Sequence, residues 1–163
     1  MTKPDNTSEH TLEYSYVILI DAPREKVWQA LTSGAFTKQY WHSAEVRSDW
    51  KVGSAVEFWV STEQGELVGC EGKVLECVEP ERLNYSWHFP LNPACAPEPH
   101  SRVLFLLEDA SGTTKLTVKH DEFADKDSAT YHMVSTGWPY VIAGLKSLCE
   151  TGKTRDFSVL APD

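Results

Sequence analysis

The feature that most constrains this chain is a change of hydrophobic period late in the sequence. From Ser54 to Asp121 apolar residues recur at alternate positions, and from about Ser128 to Glu150 they recur at helical spacing. Val56, Phe58 and Val60 alternate with Glu57 and Trp59. Leu83, Tyr85, Trp87 and Phe89 share one face of a second segment, and Val103, Phe105 and Leu107 one face of a third. Leu116, Val118 and His120 alternate with Thr117 and Lys119. Such segments are strands with one apolar face. In the helical segment, Trp138, Ile142, Leu145 and Cys149 form one stripe. A sheet with one apolar face needs a cover, and only this last helix is long enough to supply it.

Turn signals divide the alternating region. Gln64-Gly65 separates Ser54–Ser61 from Glu66–Glu79, a strand long enough to expect a bulge at Gly69 or Gly72. Pro80-Glu81 turns the chain into Arg82–Phe89, and Ser111-Gly112 joins Ser101–Glu108 to Thr113–Asp121. Between Phe89 and Ser101, Pro90, Pro93, Pro97 and Pro99 lack backbone donors and impose an irregular loop. Upstream, Thr11–Ile20 reads as a strand and Ala44–Arg47 as a short one. Ala22-Pro23 opens a helix with Pro at its first position and Val27, Trp28 and Leu31 on its inner face. Ser33 caps a second short helix that runs toward Tyr40 and Trp41. Pro139 places a kink or a helix start within the last pattern.

The fold class is therefore α+β: a curved antiparallel sheet of about seven strands, two short helices after the first strand, and a long C-terminal helix in its grip. At 163 residues one domain is expected, over residues 11–151, with 1–10 and 152–163 as tails. A wedge between such a sheet and its helix is a common place for a ligand.

Charge and cysteine usage narrow the partners. The net charge is −9, and the densest basic grouping, Lys153 to Arg155, is followed at once by Asp156. Nucleic-acid binders cluster Lys and Arg, so neither nucleic acid nor an anionic membrane is an expected partner. Cys70, Cys77, Cys95 and Cys149 are widely spaced, with no C-x-x-C pair and no His-rich neighbourhood. Four free thiols and no metal site are expected. Cys70 and Cys77, an odd number of positions apart, should face opposite ways unless a bulge intervenes. The first residues lack the apolar core of a signal peptide, and no apolar run reaches membrane-spanning length, which makes the cytoplasm the expected location.

Five segments, APREKVWQALTSGAFTKQYW, DWKVGSAVEFW, EGKVLECVEPERLNYSW, TTKLTVKHDEF and GWPYVIAGLKSLCE, resemble in order and spacing the START-like (SRPBCC) superfamily. Within it they are most similar to bacterial proteins like the C-terminal domain of the activator of heat-shock protein 90 ATPase. The resemblance covers residues 12 to 150 and implies a helix-grip fold with a hydrophobic cavity. Relatives in the superfamily bind lipids, hormones or polyketides, and some catalyse cyclisation or dehydration, so the fold alone names no activity. Members often carry Trp-Trp-Gly or Trp-Gly after the second helix; here Tyr40-Trp41-His42 stands in its place, and His42 would narrow or polarise the cavity mouth.

The candidate ligand-binding wall is aromatic. Phe58, Tyr85, Trp87 and Phe105 come from the strands, Trp41 from the end of the second short helix, and Trp138 and Ile142 from the covering helix. His120 ends an inward row, where a neutral imidazole could orient a carbonyl or hydroxyl. His132 stands on the covering helix near the mouth, and His88, alternating with Trp87, faces away. No H-E-x-x-H, G-x-S-x-G, Walker or G-x-G-x-x-G motif is present, so no cofactor and no catalytic residue is assigned. Glu57, Glu71 and Arg102 are strand residues that a cyclase could use, with Glu57 placed outside by alternation. The leading expectation is a binding protein for a small apolar or aromatic molecule. A chaperone-ATPase-activator-like interaction protein and a small polyketide cyclase/dehydratase-like enzyme are the alternatives, and a homodimer is an open assembly state.

Overall fold

The computed structural model describes residues 12–162. The first ten residues and Thr11 lie outside them, so the expected N-terminal tail is not described. The chain runs β1 (Tyr14–Ile20), α1 (Arg24–Thr32), α2 (Gly34–Tyr40), β2 (Glu45–Arg47), β3 (Ala55–Thr62), β4 (Gly65–Val78), β5 (Arg82–Trp87), β6 (Ser101–Ala110), β7 (Thr113–Asp121) and α3 (Ala129–Thr151). The seven strands form one antiparallel sheet in the order β1-β7-β6-β5-β4-β3-β2. This is the expected α+β arrangement.

Register follows alternation. Leu116, Val118 and His120 on β7 are fully buried, as are Val103 and Phe105 opposite them on β6. Lys119 points outward, where its ammonium pairs with Glu13 at 3.1 Å. On α3 the buried stripe includes Val134, Trp138, Val141, Ile142 and Leu145. The helix is continuous through Pro139, so that residue marks no helix start.

Two local readings are corrected, and a third meets its stated exception. Pro23 is the N-cap of α1 rather than its first helical residue, its extended backbone standing just before the turn. Ser33 stands at the N-cap of α2, but its side chain makes no capping hydrogen bond. For Cys70 and Cys77 the expected exception applies, because a bulge intervenes and both face inward. Val74 pairs with Tyr85 and Glu76 with Asn84, so Leu75 is an extra residue that resets the parity. Cys77 then pairs with inward-facing Leu83 and packs against the core with Cys70. All four cysteines are unpaired thiols.

The bending of β4 shapes the sheet. Phe58 pairs with Cys70 and Trp59 with Val68, which leaves Gly69 as a bulge. With Leu75, β4 carries two such irregularities, and each adds twist. Between them, a Cβ on Gly72 would stand 1.7 Å from the Ser86 carbonyl oxygen, so the two backbones cross too closely for any side chain. At Gly69 an added Cβ would meet Val60 only at 3.8 Å. Gly72→Ala should therefore lose about 3 kcal/mol or more in urea denaturation, whereas Gly69→Ala should lose much less. Equal losses would mean that β4 does not cross β5 at Gly72.

Candidate functional site

The inner face of the sheet and α3 enclose an aromatic cluster centred on Trp138. Its ring lies 5.5 Å from Trp41, 5.4 Å from Trp87 and 5.7 Å from Phe105, centroid to centroid. Trp41 also packs on Phe58 at 4.6 Å. Offset and edge contacts of this kind add to what apolar burial alone contributes.

Behind Trp138 a short polar chain is fully internal. The Trp138 indole N–H donates to His120 Nδ1 at 3.2 Å. His120 Nε2 lies 2.8 Å from Ser101 Oγ, which lies 3.4 Å from the Trp87 carbonyl. An indole only donates, so His120 Nδ1 accepts, and the proton of the neutral ring belongs on Nε2, directed at Ser101. Burial lowers the His120 pKa to about 3, which keeps the ring neutral.

An open cleft of about 1030 Å³ lies beside this cluster. It sits toward β3 and β4, under the N-terminal half of α3. Phe58, Val60, Gly69 and Cys70 form its floor, with Trp87 and Phe89 continuing it. Trp41 and Trp138 form the inner wall, and His132, Met133 and Gly137 the helix side. Leu91, Asn92 and Pro93 of the Pro-rich loop and Ser158, Val159, Ala161 and Pro162 complete the rim.

The expected wall residues are thus divided. Trp41, Phe58, Trp87, His132 and Trp138 border the cleft. Tyr85, Phe105, His120 and Ile142 are fully buried behind it and do not border it. Alternation identifies the inward face of a strand, but it does not say where the helix lifts away from that face. His88 faces the outer side of the sheet, and His42 stands at the rim. His42 and Ser43 both take left-handed backbone conformations, with φ of 50° and 57°, where glycine is the usual residue.

Several site residues escaped the sequence reading. Met133 and Gly137 stand one helical turn apart, and Gly137 precedes Trp138, so i, i+4 spacing offered a signal. The C-terminal segment, treated as a tail, folds back as a 3-10 turn over Phe157–Leu160. There Ser158 Oγ accepts the His42 N–H and Asp156 Oδ2 the Ser43 N–H, each at 2.9 Å. Glu98, in the Pro-rich loop, accepts from Ser128 Oγ and the Ala129 and Thr130 N–H groups at the start of α3. Burial alone would raise its carboxyl pKa; these hydrogen bonds outweigh it and hold the group below its ordinary value. No local pattern announces so distant a cap.

Sheet, gripping helix and the aromatic cleft between them define a helix-grip protein of the START-like class. The family model described as "Activator of Hsp90 ATPase homolog 1-like protein" matches residues 21–150, and the chain belongs to that family. No curated protein sequence matches it. Among solved structures, a Cytophaga hutchinsonii protein is 25% identical with a TM-score of 0.67, covering 85% of this chain and 94% of its own. The Aha1 dimer from Colwellia psychrerythraea is similar at 21% identity and a TM-score of 0.66, covering 87% and 98%. An HSP90 activator from Plasmodium falciparum shares the fold at 16% identity and a TM-score of 0.67, covering 84% and 95%. Among the described residues no helix is long and apolar enough to cross a membrane.

The lowered His120 pKa sets a pH signature. Below pH 6.5 the unfolded chain takes up a proton at His120 that the folded chain refuses until about pH 3. Its contribution to stability is complete above that window and is lost as pH falls through it. Between pH 6 and pH 4 the wild type should lose ~1.4 kcal/mol per pH unit more than His120→Gln. Parallel slopes in denaturant titrations would show that His120 is not the buried neutral group.

Proposed function

We propose that the cleft binds a small apolar or aromatic molecule that carries a hydrogen-bond acceptor. The observation that carries this reading is the concentration of Trp41, Phe58, Trp87 and Trp138 around an open space of about 1030 Å³, a size suited to a metabolite-sized ligand. These rings are themselves nearly fully buried and meet the cleft only at their edges, so they present it with a rigid apolar wall. The acceptor is called for by Trp87, whose buried Nε1 has no hydrogen-bond partner. A buried donor left unmatched is costly, and a carbonyl or hydroxyl oxygen on the ligand would satisfy it. His132 stands at the helix side of the cleft. Tyr85, Phe105, His120 and Ile142 hold the wall from behind.

Both His120 nitrogens are engaged within the protein, so this reading is one of binding, with no acid or base work assigned to that ring. A chaperone ATPase, raised as a partner by the family description, gains less from the geometry, because a recessed aromatic cleft suits a small guest. The unpaired thiols fit a reducing compartment, and the cytoplasm is part of the same proposal.

Gly137 supplies the test. It borders the cleft, and a Cβ built on it would meet nothing within 4 Å. Gly137→Leu should fill the space while gaining roughly 0.5–1 kcal/mol of helix propensity. Titration with an environment-sensitive apolar dye should show at least about tenfold weaker binding in the variant, which is ~1.4 kcal/mol, with a melting temperature equal to or above that of the wild type. Unchanged dye affinity in a well-folded variant would refute the cleft as the binding site.

A further inference from the structure

The curved sheet gathers on its outer face three residues that the sequence keeps apart. Glu71 lies on β4, His88 immediately after β5 and His100 immediately before β6. Their potential ligand atoms all lie within 4.8 Å of one another. The Glu71 N–H donates to the His88 carbonyl at 2.9 Å, which fixes the two backbones side by side. The His100 ring stacks on that of His88 with centroids 4.7 Å apart and planes within 5°.

The two contacts of His88 make this cluster more than a polar patch. Nε2 lies 3.0 Å from the Ala96 carbonyl oxygen, and Nδ1 lies 3.0 Å from Glu71 Oε2. A carbonyl and an ionised carboxylate only accept. A neutral imidazole has one N–H, so it satisfies one contact and leaves two lone pairs opposed at the other. A second proton would resolve this, and so would a metal ion at Nδ1 with the Nε2 proton given to Ala96. A metal-bound histidine whose other N–H is held by a backbone carbonyl is the usual way such a ring is oriented.

The surroundings favour the ion. Glu57 stands directly across from Glu71 in the β3–β4 register, where paired carboxylates repel. Glu57, Glu71 and His100 border one outer recess of about 410 Å³, with Lys73 at its edge as the one cationic side chain among the residues lining it. His100 is exposed and can swing inward, while the 3.0 Å separation of Nδ1 and Oε2 already suits adjacent ligands on one ion.

We propose that Glu71, His88 through Nδ1, and His100 bind a divalent transition-metal ion, with Glu57 or water completing its coordination. Two imidazoles and a carboxylate suit Zn²⁺, Co²⁺, Ni²⁺ or Cu²⁺ and disfavour Ca²⁺ and Mg²⁺. His88 and His100 flank the Pro-rich loop, so the ion ties its two ends together. That loop supplies Leu91, Asn92 and Pro93 to the cleft rim and Glu98 to the start of α3.

Co²⁺ titration of the full chain, followed by visible absorption, tests the site. The wild type should bind one equivalent with ligand-field bands of a nitrogen- and oxygen-coordinated ion. His100→Ala should bind at least about tenfold more weakly, and Zn²⁺ should raise the melting temperature of the wild type but not of this variant. Because His100 is exposed, the metal-free variant should melt as the wild type does, and Glu71→Gln gives a second, independent loss of ligand. Adventitious binding at His42 or His132 would survive in both variants. Absence of stoichiometric Co²⁺ binding in the wild type, or equal affinity in the wild type and the folded variants, overturns the proposal.

Discussion

The rest of the molecule depends on how sharply β4 bends. A strand of fourteen residues kept straight would carry its ends far past its neighbours and leave the sheet flat. Two extra residues, Gly69 and Leu75, and the bare backbone at Gly72 turn it instead. The concave side then wraps α3, while on the convex side the backbone bridge between Glu71 and His88 sets those two residues side by side. The bend separates α3 from the β3–β4 half of the sheet while the helix stays seated on β1.

That seating is tight on the other side as well. A Cβ on Gly144 would lie 2.6 Å from the Tyr40 Cβ, so α3 approaches α2 at a distance only glycine permits. Tyr40 is fully buried and its hydroxyl donates to the Ala30 carbonyl at 2.6 Å, which ties α2 to α1. Burial raises the phenol pKa well above its ordinary value, which keeps it a neutral donor. The three helices therefore pack into one shelf beside the cleft.

What the sequence made legible divides along the same line. Strand parity is local, so Leu116, Val118 and His120 on β7, and Val103 and Phe105 on β6, were readable as inward residues. The single helical stripe through Trp138 and Leu145 was readable for the same reason. Depth was not. Phe58 and Phe105 have equivalent patterns, yet one borders open space and the other is sealed behind Trp138. The difference lies in where two distant elements part, and no window of residues contains it. The parity of Cys77 was reset by one inserted residue, Leu75, whose β-compatible side chain gives no sign of a bulge. The Glu98 cap and the pairing of Asp156 and Ser158 with His42 and Ser43 lie beyond local patterns too, since partners dozens of residues apart meet only after the sheet has closed.

The returning C-terminal segment carries one more consequence. It lends Ser158, Val159, Ala161 and Pro162 to the mouth of the cleft, yet it is moored to the shelf at His42 and Ser43 by two backbone-to-side-chain hydrogen bonds rather than by a strand ladder. A border that packs on α3 without joining the strand ladder can be reshaped by substitution without disturbing the alternation that builds the sheet. The outline of the cleft mouth and the pairing of the strands are therefore set in part by separate stretches of the chain. Substitution at Val159, Ala161 or Pro162 would alter the outline of the rim while the sheet and α3 keep the frame.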